Sequence, residues 1–400
     1  MTSTIRVGVA ALLLLACASS ARRETQEHDV LANETRQRAA DMLAARQFED
    51  AVAVLEPLAR ESPKDDQLFT MLADAYRGTG DFDRSVKAYE QAIRIEYGDY
   101  AAHLKLGVVL MEQGKTGRAL TEFEVAVKYG GGDPLTHYNY GLALNELGRK
   151  PGALEQWRLA SEIQPDNAAF AAAVGIGLTG VDDSAAVECF ARAERLGMKD
   201  SAAFDNNYAL ALERVGDNDS AQVRFEAAVH RGGPGQNDYR RNLARHYLRV
   251  GKSAEAAAEF DTLVARDGGK WSDSVYLARA RVALGRYEDA IAGLESFALE
   301  VEAGKIDRAS GRLDRMPPTL GEALDVLGMA WRGQGDLARA RDYLGRAVRL
   351  EPDDPARLNN YGVVLAESGM LPDARAQWRR VLVIDPANAT ARANLAAFGP

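Results

Sequence analysis

The sequence predicts an all-α protein in which one short helical unit is repeated along most of the chain. Three observations carry this prediction. Residues of one kind recur every 34 positions, as Gly107, Gly141 and Gly175 do. Small residues stand at two fixed places in that period, where they allow two helices to approach closely. A glycine stands at a third fixed place, where a helix has to end.

The first sixteen residues are predicted to be a signal peptide. The apolar run from Val7 to Ala16 follows the basic residue Arg6. It is about half as long as a helix that crosses a bilayer, and this length is typical of a signal-peptide core. We therefore expect residues 1–16 to be a targeting segment that is cleaved off and is not part of the fold.

The end of this run resembles the lipobox of bacterial lipoproteins. It reads Leu14-Leu15-Ala16-Cys17, and Ala18 follows the cysteine. The resemblance implies that the thiol of Cys17 accepts diacylglycerol and that residues 17–31 form a lipidated N-terminus and linker. A residue other than aspartate after the cysteine implies sorting to the outer membrane, facing the periplasm. An ordinary secretory signal cut near Cys17 is the alternative.

Composition excludes several classes of protein. The 400 residues include 58 acidic and 49 basic residues, for a net charge of -9. Because phosphate contact needs a basic footprint, a nucleic-acid binder that relies on overall charge is excluded, and any basic partner site must be local. Two cysteines do not suffice for a disulfide-stapled domain, and the glycines and prolines lack the triplet order of collagen.

The phase of the recurring residues defines ten repeats. The twentieth position holds an alanine in many copies, and a large apolar residue follows four positions later. The alanines are Ala119, Ala153, Ala221, Ala256 and Ala290, and the large residues are Phe123, Trp157, Phe225, Phe260 and Leu294. The repeats span residues 32–65, 66–99, 100–133, 134–167, 168–201, 202–236, 237–270, 271–304, 321–354 and 355–388.

Glycine and proline mark the ends of the helices. At the fifteenth position a glycine is expected to close the first helix in a left-handed conformation. These glycines are Gly80, Gly114, Gly148, Gly216, Gly251, Gly285, Gly335 and Gly369. A proline ring cannot extend a helix interior, so Pro63, Pro165, Pro352 and Pro386 are expected to end the second helix.

The complete pattern resembles the tetratricopeptide repeat, and the stretch from Leu358 through Gly362 and Trp378 to Pro386 shows it most clearly. The resemblance implies a right-handed superhelical solenoid of about ten helix-turn-helix repeats. Repeats one to eight occupy residues 32–304, an insertion occupies 305–320, repeats nine and ten occupy 321–388, and a capping helix and tail occupy 389–400. The insertion is expected to be a lengthened loop or helix, with a flexible joint as the alternative.

No motif in the sequence predicts catalysis. The stretch from Gly175 to Gly180 fits the dinucleotide fingerprint in its letters, but it lies inside a repeat helix instead of following a strand. His103 and His137 share the fourth position of adjacent repeats, and since no further ligand completes a zinc site, packing is favoured. Cys189 is expected to be a buried structural thiol. We therefore expect no catalytic residue, no metal and no cofactor.

Asparagine recurs at the sixth position of several repeats, at Asn139, Asn207, Asn242, Asn360 and Asn394. The tetratricopeptide resemblance places this position on the concave groove. The series resembles the asparagine ladder of the O-linked N-acetylglucosamine transferase superhelix, whose amides grip a peptide backbone. Because an amide both donates and accepts, neighbouring helices could instead satisfy these side chains.

Arginines form a second group of candidates in repeats seven and eight. Arg241, Arg245 and Arg249 stand four residues apart, and Arg279 follows on the next repeat. Like charges at this spacing repel, so an acidic neighbour or ligand would relieve them. The arrangement resembles the carboxylate clamp of chaperone-binding tetratricopeptide domains, with amides from Asn207 and Asn242. A solvated basic face is the alternative.

Together these features predict a non-catalytic scaffold, anchored in the bacterial envelope by its lipid. It would bind a peptide or protein partner, and no nucleic acid, during envelope assembly or secretion of the pilus or exopolysaccharide type. The alternative is a regulatory or substrate-recruiting subunit of a separate envelope enzyme, such as a glycosyltransferase or a cell-wall hydrolase.

Overall fold

A computed structural model of the chain describes residues 31–233, 235–267, 270–303 and 320–398, and the regular elements within these ranges are all α-helices. The predicted signal peptide and Cys17 lie outside the described residues, as does nearly all of the predicted insertion. The chain divides into two compact units, one up to Met198 and one from Lys199. Each unit is a series of helix pairs, in which we call the first helix A and the second helix B.

The helices of the first unit form five pairs. They are α1 (31–44), α2 (Phe48–Glu61), α3 (Asp66–Gly78), α4 (Phe82–Ile95), α5 (Tyr100–Glu112), α6 (Thr116–Gly130), α7 (Pro134–Glu146), α8 (Lys150–Ile163), α9 (Ala168–Leu178) and α10 (Asp183–Arg195).

The second unit continues the alternation and ends on a single helix. Its helices are α11 (Ala202–Arg214), α12 (Asn218–Arg231), α13 (Gln236–Arg249), α14 (Ser253–Asp267), α15 (Trp271–Ala283), α16 (Tyr287–Glu302), α17 (Leu320–Gly333), α18 (Leu337–Leu350), α19 (Pro355–Glu367), α20 (Leu371–Ile384) and α21 (Ala389–Ala397). None of the described helices is both long enough and apolar enough to span a bilayer.

Many A helices begin at a side-chain cap. Asp133 accepts a hydrogen bond from the backbone N–H of Thr136, and Asp99 accepts from the N–H groups at the start of α5. Proline follows the cap at the first helical position of α7 and of α19, where its missing N–H costs nothing. These caps fix where the capped repeats start.

The predicted helix ends are confirmed. All eight glycines of the fifteenth position have φ between +70° and +85°, in the left-handed region. The B helices α2, α8, α18 and α20 each end two residues before the proline that was expected to stop them. In the first repeat the same left-handed position is taken by Arg46, with φ +60°.

The close approach of two helices at the small residues is also confirmed, and it brings the eighth position of a repeat against the twenty-fourth. A Cβ added to Gly107 would lie 2.5 Å from the ring of Phe123, and one added to Gly141 would lie 2.4 Å from Trp157. The alanines of the twentieth position are fully buried. Helices A and B therefore approach closely because one of them carries no bulk at the crossing.

Helices on the two sides of the insertion pack directly on each other. Helix α17 contacts both α15 and α16, and one core cluster contains Trp271, Leu294 and Leu324. The hydroxyl of Tyr343 donates to Glu295 at 2.6 Å. The predicted capping helix is present as α21, and Phe398 stacks on Trp378 with ring centroids 5.4 Å apart.

Candidate functional site

The predicted groove residues all lie on A helices. Asn139 lies on α7 in the first unit. In the second unit the residues lie on five of the six odd-numbered helices, with Asn207 on α11, Arg241, Asn242 and Arg245 on α13, Arg279 on α15, Asn360 on α19 and Asn394 on α21.

Several of the asparagines bond within the protein. The Nδ2 group of Asn242 donates to Oδ1 of Asn206 on the preceding A helix at 2.8 Å. Asn360 donates in the same way to both carboxylate oxygens of Asp325 at 3.0 Å. Asn139 donates to the carbonyl oxygen of Leu135 in its own helix at 2.8 Å. For these amides the donor group serves the fold.

Asn394 stands at the end of the series. Its Nδ2 atom is buried without a hydrogen-bond partner in the structure. Oδ1 of Asn359, at the fifth position of the preceding repeat, is buried and unpartnered as well. In repeats six and seven, and again in nine and ten, the same two positions are linked by a hydrogen bond. Asn394 and Asn359 thus occupy the positions of this pattern without forming its hydrogen bond.

Arg241 forms a shielded ion pair. Its Nε atom lies 2.8 Å from Oδ1 of Asp273, whose side chain is 1% exposed, and its Nη1 atom lies 2.8 Å from Asp238. Burying one charge without the other would be strongly unfavourable, so this pair is structural. Arg279 lies 3.1 Å from Glu322 on the next A helix. The acidic neighbours that the arginines need are thus largely supplied by the chain itself.

Glu213 organises the other end of α13. It accepts hydrogen bonds from His246 at 2.8 Å and from Arg249 at 3.0 Å. Burial would raise the pKa of Glu213, but these hydrogen bonds and the charge of Arg249 outweigh burial and lower it. Glu213 therefore stays ionised and holds α13 against α11.

Arg245 differs from the other arginines of α13. It is exposed, and within the described part of the chain it has no carboxylate partner. Its guanidinium group lies 5.7 Å from the ring centroid of Tyr276 on α15, which is a cation–π distance. Asn207 on α11 is half-buried and has no side-chain hydrogen bond among the described residues. Asn207, Arg245 and Tyr276 define the groove site, and sequence reasoning missed Tyr276 as a member of it.

The predicted packing role of the histidines agrees with the structure. Nδ1 of His103 lies 2.7 Å from Glu122 and its Nε2 lies 3.1 Å from a backbone oxygen. His137 has the equivalent pair of contacts, with Gln156 at 2.8 Å and a backbone oxygen at 3.0 Å. Both rings are buried and fully engaged within their own surroundings. No group of three potential metal-ligating side chains occurs among the residues that the structure describes.

Two other sequence features, a cysteine and a glycine-rich motif, do not form a functional site. Cys189 is half-buried rather than fully buried as expected, because it lies at the margin of α10 and not on its core stripe. Burial raises the pKa of its thiol, which disfavours the reactive thiolate. The glycines Gly175 and Gly177 lie inside α9, so the fingerprint motif does not form a phosphate-binding turn.

Comparison with known families gives one match. The family model of the tetratricopeptide repeat matches residues 70–134, 109–168, 209–270 and 326–389, which together make up more than half of the chain. Among curated proteins, none matches this chain.

Solved structures with similar repeats include three bacterial proteins. MamA from Desulfovibrio magneticus RS-1 is 22% identical, over 41% of this chain and 94% of that chain, with a TM-score of 0.39. PilF from Pseudomonas aeruginosa is 19% identical, over 53% and 95%, with a TM-score of 0.44. A tetratricopeptide repeat protein from Parabacteroides merdae is 15% identical, over 75% and 98%, with a TM-score of 0.42.

Proposed function

Since this chain belongs to the tetratricopeptide repeat family, we propose that it is a non-catalytic scaffold held at the bacterial outer membrane by a lipid on Cys17. In the periplasm it binds an extended acidic segment of a partner protein during envelope assembly or secretion. Repeats of this family supply surfaces for protein partners, and that general role is the starting point of the proposal.

The observation that carries the binding role is that Arg245 is exposed and has no carboxylate partner among the described residues. Its neighbours Arg241 and Arg249 and the next-repeat Arg279 are neutralised by carboxylates of the chain, whereas Arg245 is exposed beside Tyr276. A guanidinium group in this setting can take a carboxylate bidentately. The amide of Asn207 can pair with a backbone group of the same ligand. An acidic peptide lying across α11, α13 and α15 would satisfy both.

Partner capture tests this role. We expect crosslinking in membranes, followed by purification, to yield a partner whose affinity falls about ten- to a hundredfold in Arg245→Glu, because a charge-assisted contact becomes a repulsion. Arg286→Glu is the matched control, since Arg286 is an exposed arginine at the start of helix B and is paired with Asp289. Equal affinity in Arg245→Glu and wild type would reject the groove site.

The identity of the captured protein decides between two versions of the scaffold. A structural component of a pilus or polysaccharide export system would support the assembly role. A glycosyltransferase or cell-wall hydrolase would instead make this chain the regulatory or substrate-recruiting subunit of that enzyme.

The anchor is supported by the lipobox-like sequence that ends at Cys17. In cells fed a radioactive fatty acid, we expect the wild-type chain to be labelled and Cys17→Ser to be unlabelled. Cys189→Ser is the matched control, because Cys189 is the other of the two cysteines and lies within the folded repeats. Equal label in Cys17→Ser and wild type would reject the anchor.

A further inference from the structure

A cavity of about 550 Å³ lies in the first unit, where the first three repeats meet. Its lining comes from α1 to α5 and includes Leu43, Arg46, Phe48, Arg77, Phe82 and Glu112. The volume is in the range of pockets that hold small ligands or a few residues of a peptide. None of these residues was among the predicted groove residues.

Part of the cavity wall is apolar. Leu43, Phe48 and Phe82 are half-buried and line it from three different helices. Gly78 allows this arrangement, because a Cβ at that position would lie 2.2 Å from the ring of Phe48. The ring of Phe48 therefore packs against the backbone of α3. The volume of about 550 Å³ leaves room in the cavity for one large apolar side chain.

Most charged groups around the cavity are already paired. Arg77 donates to Glu112 from its Nε atom at 3.0 Å and from its Nη2 atom at 2.5 Å. Asp74 accepts from Nζ of Lys105 at 2.8 Å and from the hydroxyl of Tyr89. Arg46 is exposed and makes no ion pair in the part of the chain that the structure describes. The charge left over at the cavity is therefore positive.

Arg46 also occupies an unfavourable backbone conformation. Its φ is +60°, at the turn position where eight other repeats have glycine. A side chain disfavours this conformation, and glycine would relieve it. Because no ion pair of Arg46 offsets this strain, its guanidinium group is a candidate for binding a ligand.

We propose that this cavity binds a partner segment in which an aspartate or glutamate stands next to a large apolar residue. The carboxylate binds the guanidinium group of Arg46, and the apolar side chain enters between Leu43, Phe48 and Phe82. This inference rests on the proposed role as a peptide-binding scaffold, but it concerns a different unit of the chain and different residues.

The test uses a fluorescein-labelled hexapeptide with an amidated C-terminus, in which aspartate and phenylalanine are flanked by glycine and serine. We expect the purified full chain to bind it in a fluorescence polarisation titration. Replacing the aspartate by asparagine, or the phenylalanine by alanine, is expected to weaken binding about tenfold or more. No polarisation change, or equal binding of the asparagine peptide, would overturn the proposal.

Arg46→Gly is the decisive variant, because it removes the guanidinium group and relieves the backbone. We expect its thermal stability to equal or exceed that of wild type, so that weaker peptide binding does not reflect unfolding. Arg46→Lys keeps the charge and is expected to retain part of the binding. Unchanged binding in Arg46→Gly would reject the site.

The outcome is separable from that of the groove site. Arg286→Glu, which reverses an exposed arginine outside both sites, is expected to leave hexapeptide binding unchanged. If Arg46→Gly has no effect while Arg245→Glu weakens the captured partner, the cavity proposal fails and the proposed function stands. If the hexapeptide depends on Arg46 but no captured partner depends on Arg245, the cavity proposal stands and the groove site fails.

Discussion

The contact that closes each repeat joins the eighth residue on helix A to the twenty-fourth on helix B. Where the first is Gly141 and the second is Trp157, the indole Nε1 also donates to the carbonyl oxygen of Tyr138 at 3.2 Å. Gly362 and Trp378 form the equivalent contact, with a longer hydrogen bond of 3.4 Å to the backbone of Asn359. The glycine thus makes room for a ring whose orientation is fixed by a hydrogen bond.

Gly141→Ala is expected to destabilise the chain. The added Cβ would lie 2.4 Å from Nε1 of Trp157, so the ring must shift and its hydrogen bond must weaken. Overpacking of this kind costs about 1 to 3 kcal/mol in free energy of unfolding. Urea denaturation measures the change.

Gly117→Ala is the matched control for that measurement. A Cβ on Gly117 would meet nothing within 4 Å, and the residue lies in the first turn of α6. We expect a gain of about 0.4 to 1 kcal/mol, because alanine restricts the unfolded chain. Equal effects of the two substitutions would show that the ring contact does not govern the eighth position.

At the scale of helices, polar pairs link several A helices to the next A helix. Asn242 reaches Asn206 on α11, and Asn360 reaches Asp325 on α17. Arg332 and Glu367 form a similar link near the ends of α17 and α19. At Asn242 and Asn360 these links explain the asparagine without any ligand. Asn207 and Arg245 have no such partner among the described residues.

The sequence predicted contacts within a repeat better than contacts between repeats. Local steric effects within one repeat determine the left-handed glycine turns and the ends of the B helices before proline. They also determine the packing of the Trp378 ring against Gly362. The bond from Asn360 to Asp325 joins residues 35 positions apart, and its formation depends on how far one A helix is shifted along the next. Sequence spacing alone does not give that shift, so it leaves open whether an asparagine contacts a ligand or a neighbouring helix.

The link between α17 and α19 has an expected pH dependence. Burial raises the pKa of Asp325, more than the hydrogen bonds from Asn360 and the nearby charges of Arg357 and Arg279 lower it. An acid with a raised pKa in the folded state binds protons more readily when folded. Its presence therefore lowers stability as the pH rises from about 3.9, the unfolded value, through the folded value.

Asp325→Asn removes this titration and keeps an oxygen that can accept from Asn360. We expect the free energy of unfolding of the variant, relative to wild type, to increase between about pH 4 and pH 7. Denaturation at several pH values measures it. A difference that is constant or falls with pH would show that Asp325 is not shielded from water in the folded chain.

At the scale of the whole chain, stability is expected to be local. Each described helix contacts chiefly the helices one or two places along, so damage to one repeat reaches few others. The two candidate sites, around Arg46 in the first unit and Arg245 in the second, depend on separate sets of such contacts.

Gly362→Leu tests this locality, because even a Cβ at that position would lie 2.5 Å from Trp378. We expect amide hydrogen exchange to speed up in α19, α20 and α21 while α3 to α6 keep their protection, since a solenoid transmits disturbance mainly between neighbours. Gly141→Leu makes the same clash in the first unit and should give the converse pattern, with faster exchange in α7 and α8 and unchanged protection in α20 and α21. Uniform loss of protection along the described helices in either variant would mean that the repeats unfold as one cooperative body, since no local clash could otherwise reach both units.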